Sequence, residues 1–257
     1  MVLNADVNVS DANSESRMLM SNQTSAQDDA AKRHAMQTMS VPIPMGVARS
    51  HVTEFEDESI RRLLLRYSGA DVLPNGWKDG PESNGCKVVY GDVAGTEWAT
   101  MRTTTKIRVS AEKAAEVLNS AEYVPKYDDM TKEVQRIEKL SDATEVRHAF
   151  TRGVMVVSQR DLVVATTIRR EPSGRILIAS RSVEHPEVHG YVRIVTMISG
   201  YVITPDPVDP NVCEVSVIAH MNLAGRIPSF VIRYLGLSAP IKMMEKLRDV
   251  AVAAAAK

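Results

Sequence analysis

Several things are scarce in this chain, and each scarcity removes a class of function. Aromatic residues make up 5% of its 257 residues, and the cysteines number 2. Cys86 and Cys213 are far apart and offer no metal-ligand spacing, so they read as buried small hydrophobes and require no oxidising compartment. Charge of either sign is not in excess: 31 basic residues meet 32 acidic ones, for a net charge of -1. That balance argues against a nucleic-acid footprint. No apolar run approaches the ~18 residues of a membrane-spanning helix. The first residues lack a charged segment followed by an apolar one, and Asp6, Asp11, Glu15, Asp28 and Asp29 disfavour a transit peptide. A cytoplasmic chain is the expectation. Gly-x-Ser-x-Gly, His-Glu-x-x-His, phosphate-loop and dinucleotide patterns are missing too. The expectation is therefore a protein without catalytic residues, cofactor or metal.

What remains is patterned. The length suits one large domain or two small ones. Residues 1–50 are rich in Ser, Asn, Gln, Asp and Met with no sustained period, and read as a disordered tail. A short helix around Ala30–Met39 is compatible with that composition. Thr53 and Glu56 form a capping box before a helix that carries Phe55, Ile60, Leu63, Leu64 and Tyr67 and stops at Gly69. Asp71–Gly85, dense in Pro and Gly, reads as a loop, with Trp77 pinning it. Strands follow at Cys86–Tyr90 and Glu97–Val109, then a helix capped by Ser110. Thr131–Leu140 is ambiguous: Val134, Ile137 and Leu140 have helical spacing, while β-branched residues weakly favour a strand. Glu145–Thr151, Arg160–Arg169, Arg175–Val183, Tyr191–Thr204 and Val212–Leu223 read as strands. After Gly225-Arg226-Ile227-Pro228 the period changes from two to that of a helix, with Met243, Met244, Leu247, Val250, Ala251 and Ala254 on one face. Strands in series with helices at the ends imply an α+β fold with an antiparallel sheet.

Motifs from residue 158 onward narrow this further. Ser158-Gln159-Arg160-Asp161-Leu162-Val163 is followed by Ser180-x-Ser182-Val183-x-His185-Pro186 and Gly190-Tyr191-Val192-Arg193. Ser199-Gly200-Tyr201-Val202-Ile203-x-Pro205 and Gly225-Arg226-Ile227-Pro228 complete the series. In order and spacing they resemble the START (steroidogenic acute regulatory protein-related lipid transfer) domain family. Weaker matches upstream include Trp77, Lys87–Tyr90 and Tyr127-Asp128, where the family usually has Trp-Asp. The resemblance spans roughly residues 52–256, so a lipid-binding domain is drawn at 51–257. It implies a helix-grip fold: a curved antiparallel sheet wrapped around a long C-terminal helix, enclosing a lipid cavity. It also resolves Thr131–Leu140 as a strand.

The implied function is to bind one lipid, phospholipid or sterol-like, and to exchange it through transient membrane contact. The alternatives are a cavity enzyme of the cyclase or hydrolase kind and a lipid-sensing scaffold. An enzyme needs an acid/base pair, and His148 and His220 show no obvious carboxylate partner in the sequence. By resemblance the lipid-facing positions are Arg147, Thr166, Ile194, Thr196, Met221, Phe230, Ala239, Met243 and Leu247. Arg147 falls where sterol and ceramide carriers have an acid; facing inward it would suit a phosphate head group, and facing outward or pairing with an acid it would not. Ile194 and Ala239 fill slots that are polar or aromatic in ceramide carriers. The implied gate combines the loop Val154, Met155, Val156 and Val157 with the hinge positions Gly225, Pro228, Gly236 and Pro240. Gly236–Pro240 is expected to break the final helix, because a proline ring clashes with the preceding turn. Arg160, Asp161 and Arg193 are read as structural, with an ion pair or hydrogen bond on Asp161. His185 and His189 lie in a turn and read as loop histidines.

Overall fold

The computed structural model describes residues 41–256. Two helices open it, α1 (Met45–Ser50) and α2 (Val52–Ser68). Three strands follow: β1 (Val72–Ser83), β2 (Cys86–Val93) and β3 (Thr100–Ile107). The chain then crosses by α3 (Ala111–Asn119) and α4 (Val124–Tyr127) to β4 (Thr131–Lys139), β5 (Thr144–Thr151), β6 (Arg160–Arg170) and β7 (Ile176–Ser182). The short β8 (Val192–Arg193) leads to β9 (Val195–Pro205) and β10 (Cys213–Asn222). Last come α5 (Ser229–Arg233), a π-helical turn (Tyr234–Ser238) and α6 (Ala239–Ala255).

All ten strands form one sheet in the order β1-β2-β3-β10-β9-β7-β6-β5-β4, with β8 alongside β6. Every pairing is antiparallel except β6 with β8. The final strand, β10, lies between β3 and β9 and so joins the N-terminal meander to the rest. The motif glycine Gly200 has a mechanical reason. It sits at φ +152°, and a Cβ there would stand 1.8 Å from the carbonyl oxygen of Ile178 on β7. Only glycine permits that close approach of two strands.

Each face of the sheet has its own cover. On the outer face α2 places Ile60 and Leu63 against Leu177, Ala179, Ile198, Val202 and Ile218. Ala48 and Phe55 join Val146, Val163, Ala165 and Val183 on the same side. On the inner face α6 sets Ile241, Met244, Leu247, Ala251 and Ala254 against Val88, Ile107, Ile176, Ile178, Ile203, Val215 and Val217, with α3 completing the cluster. Period-two strands thus present one apolar set to each layer. The long C-terminal helix gripped by an antiparallel sheet is the arrangement implied by the sequence motifs.

Four local expectations need correction or sharpening. The folded unit begins before residue 51: Ile43 bonds to Ser182 and Glu184 through its backbone, and α1 follows. Residues 1–40, with the helix considered at Ala30–Met39, lie outside the described residues. Asp71–Gly85 is mostly strand β1, not loop; it is an edge strand whose register shifts twice, between Leu73 and Lys78 and between Asp79 and Glu82. Edge position and irregular pairing accommodate its prolines and glycines. The capping box does not form, because α2 starts after His51 and the Glu56 carboxylate instead accepts from the Ser141 and Thr144 hydroxyls at 2.5 and 2.7 Å. Finally, the interruption expected at Gly236–Pro240 takes the form of a π-helical turn, Tyr234–Ser238, between α5 and α6, with Pro240 in the first turn of α6; the wider turn, not a break in the chain, accommodates the N–H that proline lacks.

Candidate ligand-binding site

The inner face divides into a dry end and a polar end. Under α6 it is apolar on β2, β7, β9 and β10, and β3 adds the buried threonines Thr103 and Thr105 opposite Val217 and Val215. Toward the end of β7, the start of β9 and the end of β10, hydroxyls replace aliphatic groups. Register carries the alternation across: Thr166 opposes Ser180, Ser180 opposes Ser199, and Ser199 opposes Ala219. A register shift between His220 and Met221 then places Thr196 opposite Met221 on this face. Thr166 and Ser180 share a hydrogen bond of 2.8 Å. Ser182 Oγ accepts from the Thr196 amide at 2.8 Å. Ser199 donates to the Ile218 carbonyl at 3.1 Å. The Thr196 hydroxyl is buried without a partner. Leu162, Ser180, Ser199 and Met221, although on inner strands, are only half-buried; the dry cluster does not extend over them.

Tyr201 separates the two ends. Its hydroxyl lies 3.5 Å from that of Tyr127, which also reaches the Leu118 carbonyl at 3.5 Å. Burial pushes the Tyr201 phenol up to about 12 and raises that of Tyr127 as well, so both remain neutral donors. Asp128, beside them, accepts from the Thr131 hydroxyl at 2.6 Å and from the Met130 amide at 3.0 Å, fixing the turn into β4.

Arg147 lies on this face but is already engaged. Its Nε donates to Glu145 at 2.5 Å, and one terminal nitrogen donates to the backbone and side-chain oxygens of Asn119 at 2.6 and 2.8 Å. A planar fork spent in this way is a brace between β5 and α3. The expected head-group role is corrected accordingly. Of the other lipid-facing positions, Thr166, Ile194 and Thr196 are buried, while Met221, Ala239 and Met243 are half-buried. Leu247 belongs to the dry cluster. Phe230 is 58% exposed and turns away from the sheet, while its neighbour Val231 is fully buried.

Two segments frame the polar end. In the β5–β6 loop, Val154 and Val157 close a tight turn through reciprocal backbone hydrogen bonds of 2.9 Å. Met155 (61% exposed) and Val156 (75% exposed) form its tip, whereas Val157 is buried, contrary to expectation. The other segment is the passage from β10 into α5, where Ala224 and Gly225 both adopt positive φ. Arg160 ties the two together. Its guanidinium donates to the carbonyls of Ser158, Leu223 and Ala224. Burial lowers its pKa. Arg160 is thus a clamp on the hinge and, among the described residues, makes no ion pair.

The ion pair is Asp161 with Arg193, at 2.7 and 3.0 Å, on the outer face. His148 Nε2 lies 2.7 Å from the same carboxylate, a partner that no local spacing reveals because the contact spans two strands. Burial pushes the Asp161 carboxyl up, but the hydrogen bonds from Arg193 and His148 outweigh it and leave the carboxyl below its usual range. His185 meets the His148 ring edge-on at 5.4 Å, and no cluster of metal-ligating side chains occurs among the described residues. His220 faces the outer layer too, accepting from Arg66 and bonding the Trp98 carbonyl at 2.9 Å. A surface groove of about 530 Å³ beside Trp77 and Arg102, and another of about 580 Å³ beside α3, lie outside the polar end.

Comparison with known proteins agrees with this geometry. The START domain profile matches residues 60–251. The mitochondrial steroidogenic acute regulatory protein of Danio rerio is 25% identical over 181 residues, which cover 68% of this chain and 63% of that protein. The match therefore spans less than two thirds of that relative's length. Human StAR-related lipid transfer protein 5 superposes with a TM-score of 0.72 at 20% identity, over 80% of this chain and 98% of its own. A STAR-related lipid transfer protein fragment from Xanthomonas axonopodis gives 0.61 at 21% identity, over 69% and 99%. At these identities the structural likeness establishes the fold.

Proposed function

The chain belongs to the START domain family, and from that premise we propose that it is a lipid carrier, holding one lipid between the polar end of the sheet and the α5–α6 lid and exchanging it with membranes. The observation that supports this most is the strip of hydroxyls, one of them unpartnered, on the inner face where Leu162, Ser180, Ser199 and Met221 stay half-buried. Apolar chains gain ~0.8 kcal/mol for each CH₂ removed from water, so affinity needs no covalent chemistry. Head-group choice then rests with the hydroxyls. Because Arg147 is engaged by Glu145 and Asn119, the strip suits a neutral, hydroxylated head, as in a sterol-like lipid, better than a phosphate.

We read the chain as a carrier and not a catalyst. The histidine that does have a carboxylate partner, His148, lies on the outer face, bonded to Asp161, away from the hydroxyl strip. An acid/base pair acting on a bound lipid would need to reach it within hydrogen-bond distance. In this reading the Met155–Val156 tip enters the membrane when the hinge at Ala224–Gly225 opens.

The M155D/V156D double variant tests this. Both side chains are largely exposed, so thermal stability should change by less than about 0.5 kcal/mol. Lipid transfer between vesicles should fall more than ~10-fold, since burying such side chains contributes roughly 1.5–3 kcal/mol each. Undiminished transfer would reject the tip as a gate.

A further inference from the structure

We propose that the surface around the gate is a docking face selective for anionic lipid membranes; this deepens the carrier reading and rests on it. The argument begins with charge. The whole chain is balanced, with 31 basic and 32 acidic residues. The two gate segments are not. Between Glu145 and Asp161 no acid occurs, while Arg147, Arg152 and Arg160 do. Between Glu214 and Glu245 no acid occurs either, while Arg226, Arg233 and Lys242 do. Both acid-free stretches meet at Arg160, whose guanidinium bonds the end of one and the hinge of the other.

The cations differ in their availability. Arg147 and Arg160 are buried and engaged, and Arg152 donates to the carbonyls of Asp129 and Thr131. The Asp129 carboxylate across from that loop is matched by Lys246 at 2.6 Å. Lys242 lies over the Tyr234 ring at 5.7 Å. Arg226 and Arg233 are exposed and, among the described residues, have no hydrogen-bond or ion-pair partner. They flank α5, one just before it and one in its last turn.

Apolar side chains stand out along the same segments. Met155 is 61% exposed, Val156 75%, Phe230 58% and Ile232 40%. Exposed apolar groups interleaved with unpaired cations are what a membrane interface with negative surface potential selects. The correction at Phe230 finds its reason here: a ring that does not face the bound lipid is free to insert among membrane lipids. An acidic protein would recognise the cations but gives no role to the apolar tips, and a neutral bilayer would accept the tips but ignore the cations.

The test uses the full chain and sedimentation with vesicles of phosphatidylcholine alone or with a quarter phosphatidylserine. We expect tighter binding to the anionic vesicles, weakened steeply by salt. R226Q and R233Q should each weaken anionic binding by about fivefold and leave weak binding to neutral vesicles unchanged. The salt titration needs no variant, so a folding defect cannot mask the result. Equal binding to both vesicle types, salt-insensitive binding, or unaltered binding by both variants would overturn the proposal. Binding of an acidic protein from solution in preference to anionic vesicles would overturn it as well. Lipid extraction from the same preparations separates the two levels: a bound lipid with no charge preference leaves the carrier reading intact and removes only the docking face.

Discussion

At the residue scale, burial and partners decide which side chains are structural. Asp161 is 1% exposed in its side chain and satisfies both Arg193 and His148. D161N should cost about 3 kcal/mol or more, because it leaves a cation facing a group that no longer balances it; a urea melt that loses less would contradict the pairing. Arg147 gives the opposite kind of prediction. R147A should destabilise the fold by removing the brace to Asn119, yet the lipid extracted with it should be the same as from wild type. A changed lipid class would restore the head-group role. His220 carries a pH dependence. Burial, with Arg66 beside it, pushes its pKa down to about 3, against ~6.5 when unfolded. The unfolded chain therefore binds the extra proton first, so the contribution of neutral His220 is complete above pH 6.5 and is lost as pH falls from 6.5 toward 3. Replacing it with Gln should make the melting temperature less sensitive across that window, whereas an unaltered slope would show that His220 is not the group responsible.

At the element scale, the last helical segment carries two jobs on different stretches. Leu247 is fully buried against the sheet, so L247A should cost ~2–5 kcal/mol. Phe230 is 58% exposed, so F230A should cost under ~0.5 kcal/mol in a melt. Comparable losses would mean that α5 is packed as firmly as α6. These elements also show where sequence was readable. The alternation of β5–β10 and the helical period after Pro228 announce themselves, because each rests on repeated local choices. The polarity of the inner face does not: Thr196 reaches it through a register shift, which no spacing rule reveals. The motif Ser199-Gly200-Tyr201 was visible, but its reason, a backbone approach that excludes a Cβ, belongs to two strands at once. The edge strand β1 was hidden by its own prolines and glycines, and β4 was legible only through the resemblance, since its valine and isoleucine fall at helical intervals. That Arg160 and Asp161 share no contact is legible, since neighbours on a strand face opposite ways; that Arg160 instead holds the carbonyls of Leu223 and Ala224 is not, because those partners come from the far end of β10.

At the scale of the whole molecule, the sheet has helices on both faces, and along the inner face Leu162, Ser180, Ser199 and Met221 are left only half-buried. The dry cluster under α6 supplies stability, and the hydroxyl-lined end is where we propose the lipid is held. In the proposed carrier the lid would loosen without opening the core, since α6 holds to β2 and β3 while Arg160 bonds the hinge carbonyls ahead of α5. The central claim is that this end holds a lipid. Native mass spectrometry of the intact purified chain, followed by extraction and identification of what it carried, tests that claim most directly. The account predicts one lipid per chain, intact, with a neutral hydroxylated head and apolar remainder. A chain that carries nothing after exposure to lipid vesicles, or that releases a chemically converted product, would contradict it.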